Sequence, residues 1–490
     1  MTSTSGSRVT LLRYAGELST KARPTRHQFT QRLLGNLRDA LETQGFEPRI
    51  ESSRDRIFVT LPPGAREDGL ARVFGIQSLS RAERFPAPDL AAVVQRGSEL
   101  FRDSVRDKRF AIRARRVGNR RPGDFATADL LRDLGNALLP GSAGVDLDDP
   151  EVAVHVEITG GEVFFFRDRV PAPGGLPVGV GGRAVALVSG GFDSAVAAWQ
   201  ILRRGVAQDY VFCNLGGSTH RLGTLRVIQV LADRWSYGDR PRFHTVEFGP
   251  VVEEIQARTK TRYWQILLKR SMLRVAERIA REIDACAIVT GDSIGQVSSQ
   301  TLVNLGTVSQ ATRALVLRPL VGSNKEEIIA ASRRIGTFDL AKVVGEYCDM
   351  VPRHPATAAS LEAILEQEEA LDLDLVDRCC DARSVLDLRG ADLEELVIPD
   401  LEIESIPDGA VVIDLRTKAE YDSWHLEGAV WLDFAHAMKA YPAFDRSQKY
   451  VLTCEFGLKS AHLAEFMRTA GFDAKNYRGG TRALKRLACR

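Results

Sequence analysis

Ala184-Val-Ala-Leu-Val-Ser-Gly-Gly-Phe-Asp-Ser194 is the stretch whose reading decides the fold. An apolar strand runs into Ser189-Gly190-Gly191, and a helix is predicted to begin near Asp193-Ser194. Glycines let backbone N–H groups approach an anion closely, and a helix N-terminus adds partial positive charge, so the turn suits phosphate. A bare Gly-Gly would equally serve an ordinary strand-to-helix turn. The Lys-Ser/Thr of a Walker P-loop is absent, which argues against a phosphate-hydrolysing NTPase of that type. Outward from this turn, strands are predicted over 184–189, 210–215, 243–248 and 285–290, with a helix over 195–203. Strands alternating with helices predict right-handed crossovers and a doubly wound parallel sheet. Leu268, Met272, Val275, Ile279 and Ile283 step by four, three, four and four residues, an apolar stripe that a helix would turn to the core.

At about 150 residues per domain, 490 residues give a prior of roughly three domains, and the patterning accommodates four units. Hydrophobic content of 44%, charged content of 27% and a mean hydropathy of −0.14 exclude collagen-like, wholly disordered and polytopic membrane proteins. No run of about 18 uncharged apolar residues is present, and the first residues lack the apolar centre of a signal peptide. A cytoplasmic protein without membrane contact is expected. Seven cysteines are few and odd in number, so a special cysteine is expected to be chemical rather than part of a disulfide scaffold. The net charge of +2 conceals two opposed regions: 101–121 carries nine Lys/Arg against two acids, and 361–410 carries sixteen Asp/Glu against three Arg.

Residues 1 to about 170 mix a helical stretch over 27–44, with Phe29, Leu33, Leu34, Leu37 and Leu41 at helical spacing, with alternating strands at 56–61 and 152–158. Two small α+β units are expected there. Proline and glycine crowd 170–182, so that segment is predicted to lie outside regular elements, as a linker. The last 90 or so residues form a short α/β pattern.

Ser189-Gly-Gly-Phe-Asp-Ser194 resembles the signature of the PP-loop ATP pyrophosphatases, which adenylate a carbonyl oxygen and release pyrophosphate. That resemblance implies ATP binding by Ser189, Gly190, Gly191, Phe192, Asp193 and Ser194, with Mg²⁺ at Asp193. Farther on, residues 290–301 (Thr-Gly-Asp-Ser-Ile-Gly-Gln-Val-Ser-Ser-Gln-Thr) follow another predicted strand, where open α/β sheets bind ligands; Gly291 and Gln300 are the ATP-site candidates there. Residues 412–429, the loop around Cys454 and Asn476-Tyr-Arg-Gly-Gly480 are similar to a rhodanese domain. Asp414, Arg416, Glu420, His425, Gly428 and Ala429 occupy that family's pattern, and Cys454 its sulfur-carrying position. A loop of backbone N–H groups ahead of a helix stabilises a thiolate or persulfide. Glu455 stands where thiosulfate-using rhodaneses carry a cation, and like-charge repulsion would disfavour a dianionic donor, so a protein persulfide is the expected sulfur source.

An adenylating PP-loop domain followed by a rhodanese domain resembles the ThiI-type tRNA 4-thiouridine synthetases, or tRNA sulfurtransferases, over essentially the whole chain. The resemblance divides it into a ferredoxin-like domain (1–75), a THUMP RNA-binding domain (76–170), a linker (171–182), the PP-loop adenylation domain (183–395) and the rhodanese domain (396–490). Its implied chemistry is ATP-dependent sulfur transfer to uridine 8 of tRNA. The uridine O4 is adenylated, with Asp193 by the metal and Lys325 stabilising phosphate charge, and a Cys454 persulfide delivers sulfur. Cys348, on the family's second cysteine position, then either attacks the persulfide or closes a redox disulfide with Cys454. Lys108, Arg109, Arg113, Arg115, Arg116, Arg120 and Arg121 fall in the THUMP region as candidate tRNA contacts, each also readable as a solvated face. Implied partners are tRNA, a cysteine desulfurase as donor, a thiamine-pathway sulfur-carrier protein and, in a homodimer, a second copy. Rival readings are a sulfur carrier for thiamine thiazole synthesis, a tRNA-independent PP-loop ligase or amidotransferase, and a non-catalytic RNA-binding protein. Cys213 and Cys286, within apolar strand patterns, are expected to be buried and inert; Cys379, Cys380 and Cys489 are assigned no role.

Overall fold

A computed structural model describes residues 7–47, 49–62, 64, 67–118, 124–159, 161–342, 344, 350, 354–393, 401–455 and 457–488. Two compact units divide them. The first runs to Gly181 and takes in 203–205 and 237–239; the second holds the remainder.

In the first unit the order is β1 (Ser7–Tyr14), α1 (Gly16–Ser19), α2 (Arg23–Glu42), β2 (Arg49–Ser52), β3 (Arg56–Thr60), β4 (Ile76–Pro86), α3 (Leu90–Val105), β5 (Arg109–Arg116), α4 (Thr127–Leu138), β6 (Gly144–Val145), β7 (Val152–Thr159), β8 (Glu162–Phe166) and β9 (Val170–Pro171). Among the described residues nine strands make one sheet, ordered β2-β3-β1-β4-β8-β7-β5-β6, with β9 on β4. The two expected α+β units thus share a sheet. Leu33, Leu37 and Leu41 of α2 pack with Leu12, Ile57 and Val59, whereas Leu130 and Leu134 of α4 pack with Phe110 and Val154. The Pro/Gly segment expected as a linker is itself paired: Val170–Pro171 forms ladder partners with Ser78 and Leu79, and Gly174 exchanges backbone bonds with Gly75 and Ile76. Its regularity comes from the part of β4 that β8 leaves unpaired, which supplies the partners the segment cannot find within itself.

Opposite the helices, the sheet curls around Val9, Leu11, Phe58, Ala82, Phe164 and Phe166. Glu157 of β7 there accepts from Arg13 Nε of β1 at 2.8 Å and Arg56 Nε of β3 at 2.7 Å, all three side chains being buried. Four spacings of about 4.8 Å separate β3 from β7 in a flat sheet, farther than the two side chains reach, so the contact requires the curl. Burial alone would push the Glu157 carboxyl up; the charges and hydrogen bonds of Arg13 and Arg56 outweigh it and hold it below the ordinary range.

The second unit contains β10 (Arg183–Leu187), α5 (Phe192–Leu202), β11 (Ala207–Asn214), α6 (Gly217–Trp235), β12 (Arg242–Glu247), α7 (Gly249–Arg258), α8 (Trp264–Glu282), β13 (Ala287–Val289), α9 (Leu302–Ser309), β14 (Leu315–Leu317), α10 (Lys325–Ile335), α11 (Phe338–Ala341), α12 (Leu361–Glu368), α13 (Asp374–Asp381) and β15 (Ser384–Asp387). The sheet order is β14-β13-β10-β11-β12-β15, parallel except for β15, which runs antiparallel to β12. The expected stripe holds: Leu268, Val275 and Ile279 of α8 are buried in the core, with Met272 and Ile283 packed against it. The acidic stretch supplies α12, α13 and β15, and its Glu368 is buried between Arg270 and Arg274 at 2.8 and 2.7 Å. Cys213 is buried as expected. Cys286 is exposed instead, because it precedes the first residue of β13.

A second parallel sheet follows: β16 (Glu402–Ile403), β17 (Val411–Asp414), α14 (Lys418–Ser423), β18 (Val430–Trp431), α15 (Phe434–Ala440), β19 (Lys449–Thr453), α16 (Leu458–Thr469), β20 (Asp473–Tyr477) and α17 (Gly480–Ala488), in the order β16-β20-β19-β17-β18. Among the described residues no helix is long and apolar enough to cross a membrane.

Glu157→Ala leaves two buried guanidinium groups without a counter-charge. It is expected to cost the first unit about 3–5 kcal/mol in urea unfolding. Since the carboxyl is held below its ordinary range, the wild-type pair contributes fully above about pH 4.5 and loses its contribution as pH falls further, a window the alanine variant should lack.

Candidate active site and sulfur-carrying loop

β10 stands between β11 and β13, so successive crossovers leave it in opposite directions and a crevice opens at the C-terminal ends of β10 and β13. The Ser189–Ser194 turn and the 290–301 loop flank it. Gly190 has φ +78, and a Cβ there would stand 2.7 Å from Thr224 Oγ1 and 2.8 Å from Val344 Cγ1. A Cβ on Gly291 would stand 2.7 Å from Ser194 N and 2.8 Å from Asp193 C. Gly291 therefore serves the close approach of the two loops. Ser194 Oγ accepts from Ser189 N–H and donates to Gly191 O, both at 3.3 Å, while Ser189 itself is exposed to solvent.

Lys325 begins α10 behind a capping box of Asn324 and Glu327, and its Nζ lies 3.1 Å from Asp193 Oδ1. Gln296 Nε2 donates to the other carboxylate oxygen at 3.0 Å. Two of the sequence-derived catalytic candidates are thus in direct contact. Phe192 stacks on Phe338 at 5.4 Å, with Lys325 Nζ over its ring.

Several residues around the crevice were not among the candidates. Asp292 accepts from Lys269 Nζ at 2.8 Å, Thr290 Oγ1 at 2.8 Å, Arg318 Nε at 3.2 Å and Gln300 Nε2 at 3.3 Å. Burial would push its carboxyl up, but Lys269, Thr290 and Arg318 bring it down to about 2, so it stays ionised throughout the neutral range. Buried His220 is pushed down to about 4 by desolvation, so the neutral imidazole donates from Nε2 to Ser189 O at 3.3 Å. A lysine and an arginine beside an apolar helical stripe, Lys269-Arg270, were the available signal for the first of these groups.

Buried polar atoms are normally satisfied. Around this crevice Gln300 Oε1, Arg318 Nη2 and Thr224 Oγ1 are buried without a hydrogen-bond partner among the described residues, which fits a polar ligand such as a nucleotide. No cluster of three or more His, Cys, Asp or Glu able to hold a metal occurs among the described residues. A lone carboxylate such as Asp193 suits magnesium held mainly by phosphate oxygens and water.

Cys454 lies between β19 and α16, buried, with Ser460 Oγ in hydrogen-bond contact with its Sγ at 3.3 Å. Ser460 Oγ also lies 2.7 Å from Asn476 Oδ1. A Cβ on Gly480, φ +62, would stand 2.1 Å from Cys454 O, so the Gly479-Gly480 turn closes directly under the loop. Glu455 is paired with Arg482 at 2.8 Å, which offsets part of the expected repulsion. The pattern residues Asp414 and Arg416 bind each other, Arg416 also donating to Trp424 O; Glu420 caps α14, and His425 stacks on Tyr421. They frame the domain rather than touch sulfur.

Cys348, Arg120 and Arg121 lie outside the described residues. On β5, Arg113 and Arg115 are exposed, as is Lys108 ahead of the strand. Arg109 is held by Asp146 at 2.9 Å, and Arg116 points to the opposite face, bound to Asp124 at 2.8 Å. Alternation along the strand separates Arg113 and Arg115 from Arg116.

Fold and site together define a PP-loop adenylating unit joined to a rhodanese-type, cysteine-bearing unit. Family models match in chain order: a ThiI ferredoxin-like domain over residues 9–80, a THUMP domain over 89–168, a thiamine biosynthesis protein (ThiI) over 179–373 and a rhodanese-like domain over 402–487. A tRNA sulfurtransferase of Desulfurococcus amylolyticus is 38% identical over 475 residues, spanning 96% of this chain and 97% of that protein. One from Edwardsiella ictaluri is 34% identical over 470 residues, spanning 93% and 97%. A crystal structure of a 4-thiouridine synthetase–RNA complex with bound ATP superposes with a TM-score of 0.69 at 30% identity, over 77% of this chain and 99% of that one. The chain belongs to the tRNA sulfurtransferase family.

Gly291→Ala forces the two loops apart. Pyrophosphate release from ATP is expected to fall about 100-fold, as for other displacements of about 1 Å at a reacting centre, with persulfide loading of Cys454 unchanged.

Proposed function

We propose that this enzyme transfers sulfur to uridine 8 of tRNA, forming 4-thiouridine at the expense of ATP. The single observation that carries the reading is the presence in one unit of a PP-loop crevice with unsatisfied polar atoms and a buried cysteine on a rhodanese loop. Oxygen leaves poorly from a uridine carbonyl; adenylation converts it into AMP. O4 attacks the α-phosphorus of ATP and pyrophosphate departs, with the Ser189–Ser194 turn and Lys325 offsetting phosphate charge. Magnesium held at Asp193 would neutralise further phosphate charge. The terminal sulfur of a Cys454 persulfide then attacks C4 and AMP leaves. Cys348 thiolate either takes the Cys454 sulfur, closing a disulfide as the thiocarbonyl is released, or first frees hydrosulfide from the persulfide. In both routes a dithiol reductant reopens the Cys348–Cys454 disulfide.

A cysteine desulfurase is the proposed donor, in keeping with Glu455 beside the cysteine, and a thiamine-pathway sulfur carrier a further acceptor. The cytoplasmic address belongs to the same proposal.

Purified protein, desulfurase, cysteine, ATP and unmodified tRNA are expected to yield 4-thiouridine after nucleoside digestion. Cys454→Ala and Cys348→Ala should each abolish multiple turnover; full activity in either would overturn the scheme. Arg113 and Arg115 are the proposed phosphate contacts, so Arg115→Ala should reduce the slope of log affinity for tRNA against log salt by about 1. An unchanged slope would remove that residue from the RNA surface.

A further inference from the structure

Helix α6 starts at the C-terminal end of β11, the strand beside β10, and its first turn meets a carboxylate from the rhodanese-type domain. Ser218 N–H donates to Glu465 Oε1 at 3.0 Å; Thr219 N–H and Thr219 Oγ1 both donate to Glu465 Oε2 at 3.2 Å. The cradle is shaped for that group. Gly217 has φ +69, and a Cβ there would stand 3.1 Å from both carboxylate oxygens. A carboxylate at a helix N-terminus is attracted by the partial positive charge of the helix, and here it satisfies first-turn N–H groups that have no partner within the helix.

The two ends of this contact lead to the two chemical loops. Glu465 sits on α16, the helix that follows the Cys454 loop directly, and α16 packs along α6. On α6 the residue after Thr219 is His220, whose Nε2 donates to the PP-loop carbonyl of Ser189. One ion-to-dipole contact therefore joins the element carrying the sulfur loop to the element bracing the adenylation loop. Transfer between groups on separate domains gains rate when the carrier is held at high effective concentration and in one orientation.

We propose that Glu465 is a positioning residue for sulfur transfer: by capping α6 it seats the rhodanese-type domain so that the Cys454 persulfide is delivered to the activated uridine. This rests on the sulfur-transfer reading given above. The Glu465 carboxylate bonds to Ser218 and Thr219 rather than to Cys454 or the Ser189–Ser194 turn, so its loss affects the delivery step and spares the two half-reactions.

The test uses the full chain, wild type beside Glu465→Ala and Glu465→Gln. Persulfide on Cys454 is measured by mass spectrometry after loading with desulfurase and cysteine. Pyrophosphate release with tRNA is measured without sulfur, and single-turnover thiolation with preloaded enzyme. Both half-reactions are expected within twofold of wild type in both variants. Single-turnover thiolation is expected to slow at least tenfold in Glu465→Ala and by an intermediate factor in Glu465→Gln, which keeps an acceptor but loses the charge. The KM for tRNA should not move. Thiolation at the wild-type rate or faster in both variants overturns the proposal. If Glu465→Ala also loses a half-reaction, the isosteric Glu465→Gln decides by the same comparison. Failure of wild type to form any thiouridine overturns the underlying reading instead, and is distinguishable because it precedes the comparison.

Discussion

The close backbone approach of two loops at the C-terminal ends of β10 and β13 is the constraint on which the rest of the site depends. Gly291 sits where a methyl group would strike the Ser194 amide, and Gly190 where one would strike Thr224 and Val344. These contacts fix the start of α5, and with it Asp193, within reach of Lys325. They also hold Asp292, one residue past Gly291, at the inner end of the crevice with Lys269 and Arg318. A doubly wound sheet makes such a crevice for topological reasons, and the glycines decide how tightly it closes.

Buried carboxylates recur through the molecule, each met by more than one cation: Glu157 by Arg13 and Arg56, Glu368 by Arg270 and Arg274, Asp292 by Lys269 and Arg318. A buried charge without such partners would cost several kcal/mol, and a pair so enclosed recovers that cost only when its remaining hydrogen bonds are filled. Arg270 follows this rule with a third bond to Thr307 O. In the first two cases the clusters are structural, tying strands or helices distant in sequence. Around Asp292 the unfilled polar atoms of Gln300 and Arg318 lie at the crevice beside the Ser189–Ser194 turn, where a polar ligand can meet them.

The sulfur loop follows a different logic. Cys454 is buried and touched by Ser460, and its loop is pinned from below by Gly480, so the cysteine is presented by backbone packing rather than by ionic partners. Glu455 turns to Arg482. Through α16 and Glu465 the loop's helix engages α6 next to the adenylation turn. Two chemistries on separate sheets thereby share a mechanical connection.

Local pattern determined the parallel strands, the turn at Gly190-Gly191, the α8 stripe and the placement of Cys454 between strand and helix, because strand and helix periods and glycine turns are short-range properties. Asp193 and Lys325 were legible on a different ground, the resemblance of their motifs to the PP-loop and ThiI-type families, and the structure brings the two into contact. Only the tertiary structure decided that the Pro/Gly segment pairs with β4, that β15 runs antiparallel on the sheet edge, that Cys286 is exposed, and that Arg116 turns away from Arg113 and Arg115 into an ion pair. Asp292 with its cations, Glu157 across a curled sheet, and Glu465 on a helix 246 residues away from Thr219 in sequence belong to the same group. In each, the partner lies far along the chain, and its identity follows from how sheets curl and domains dock, which no local period encodes.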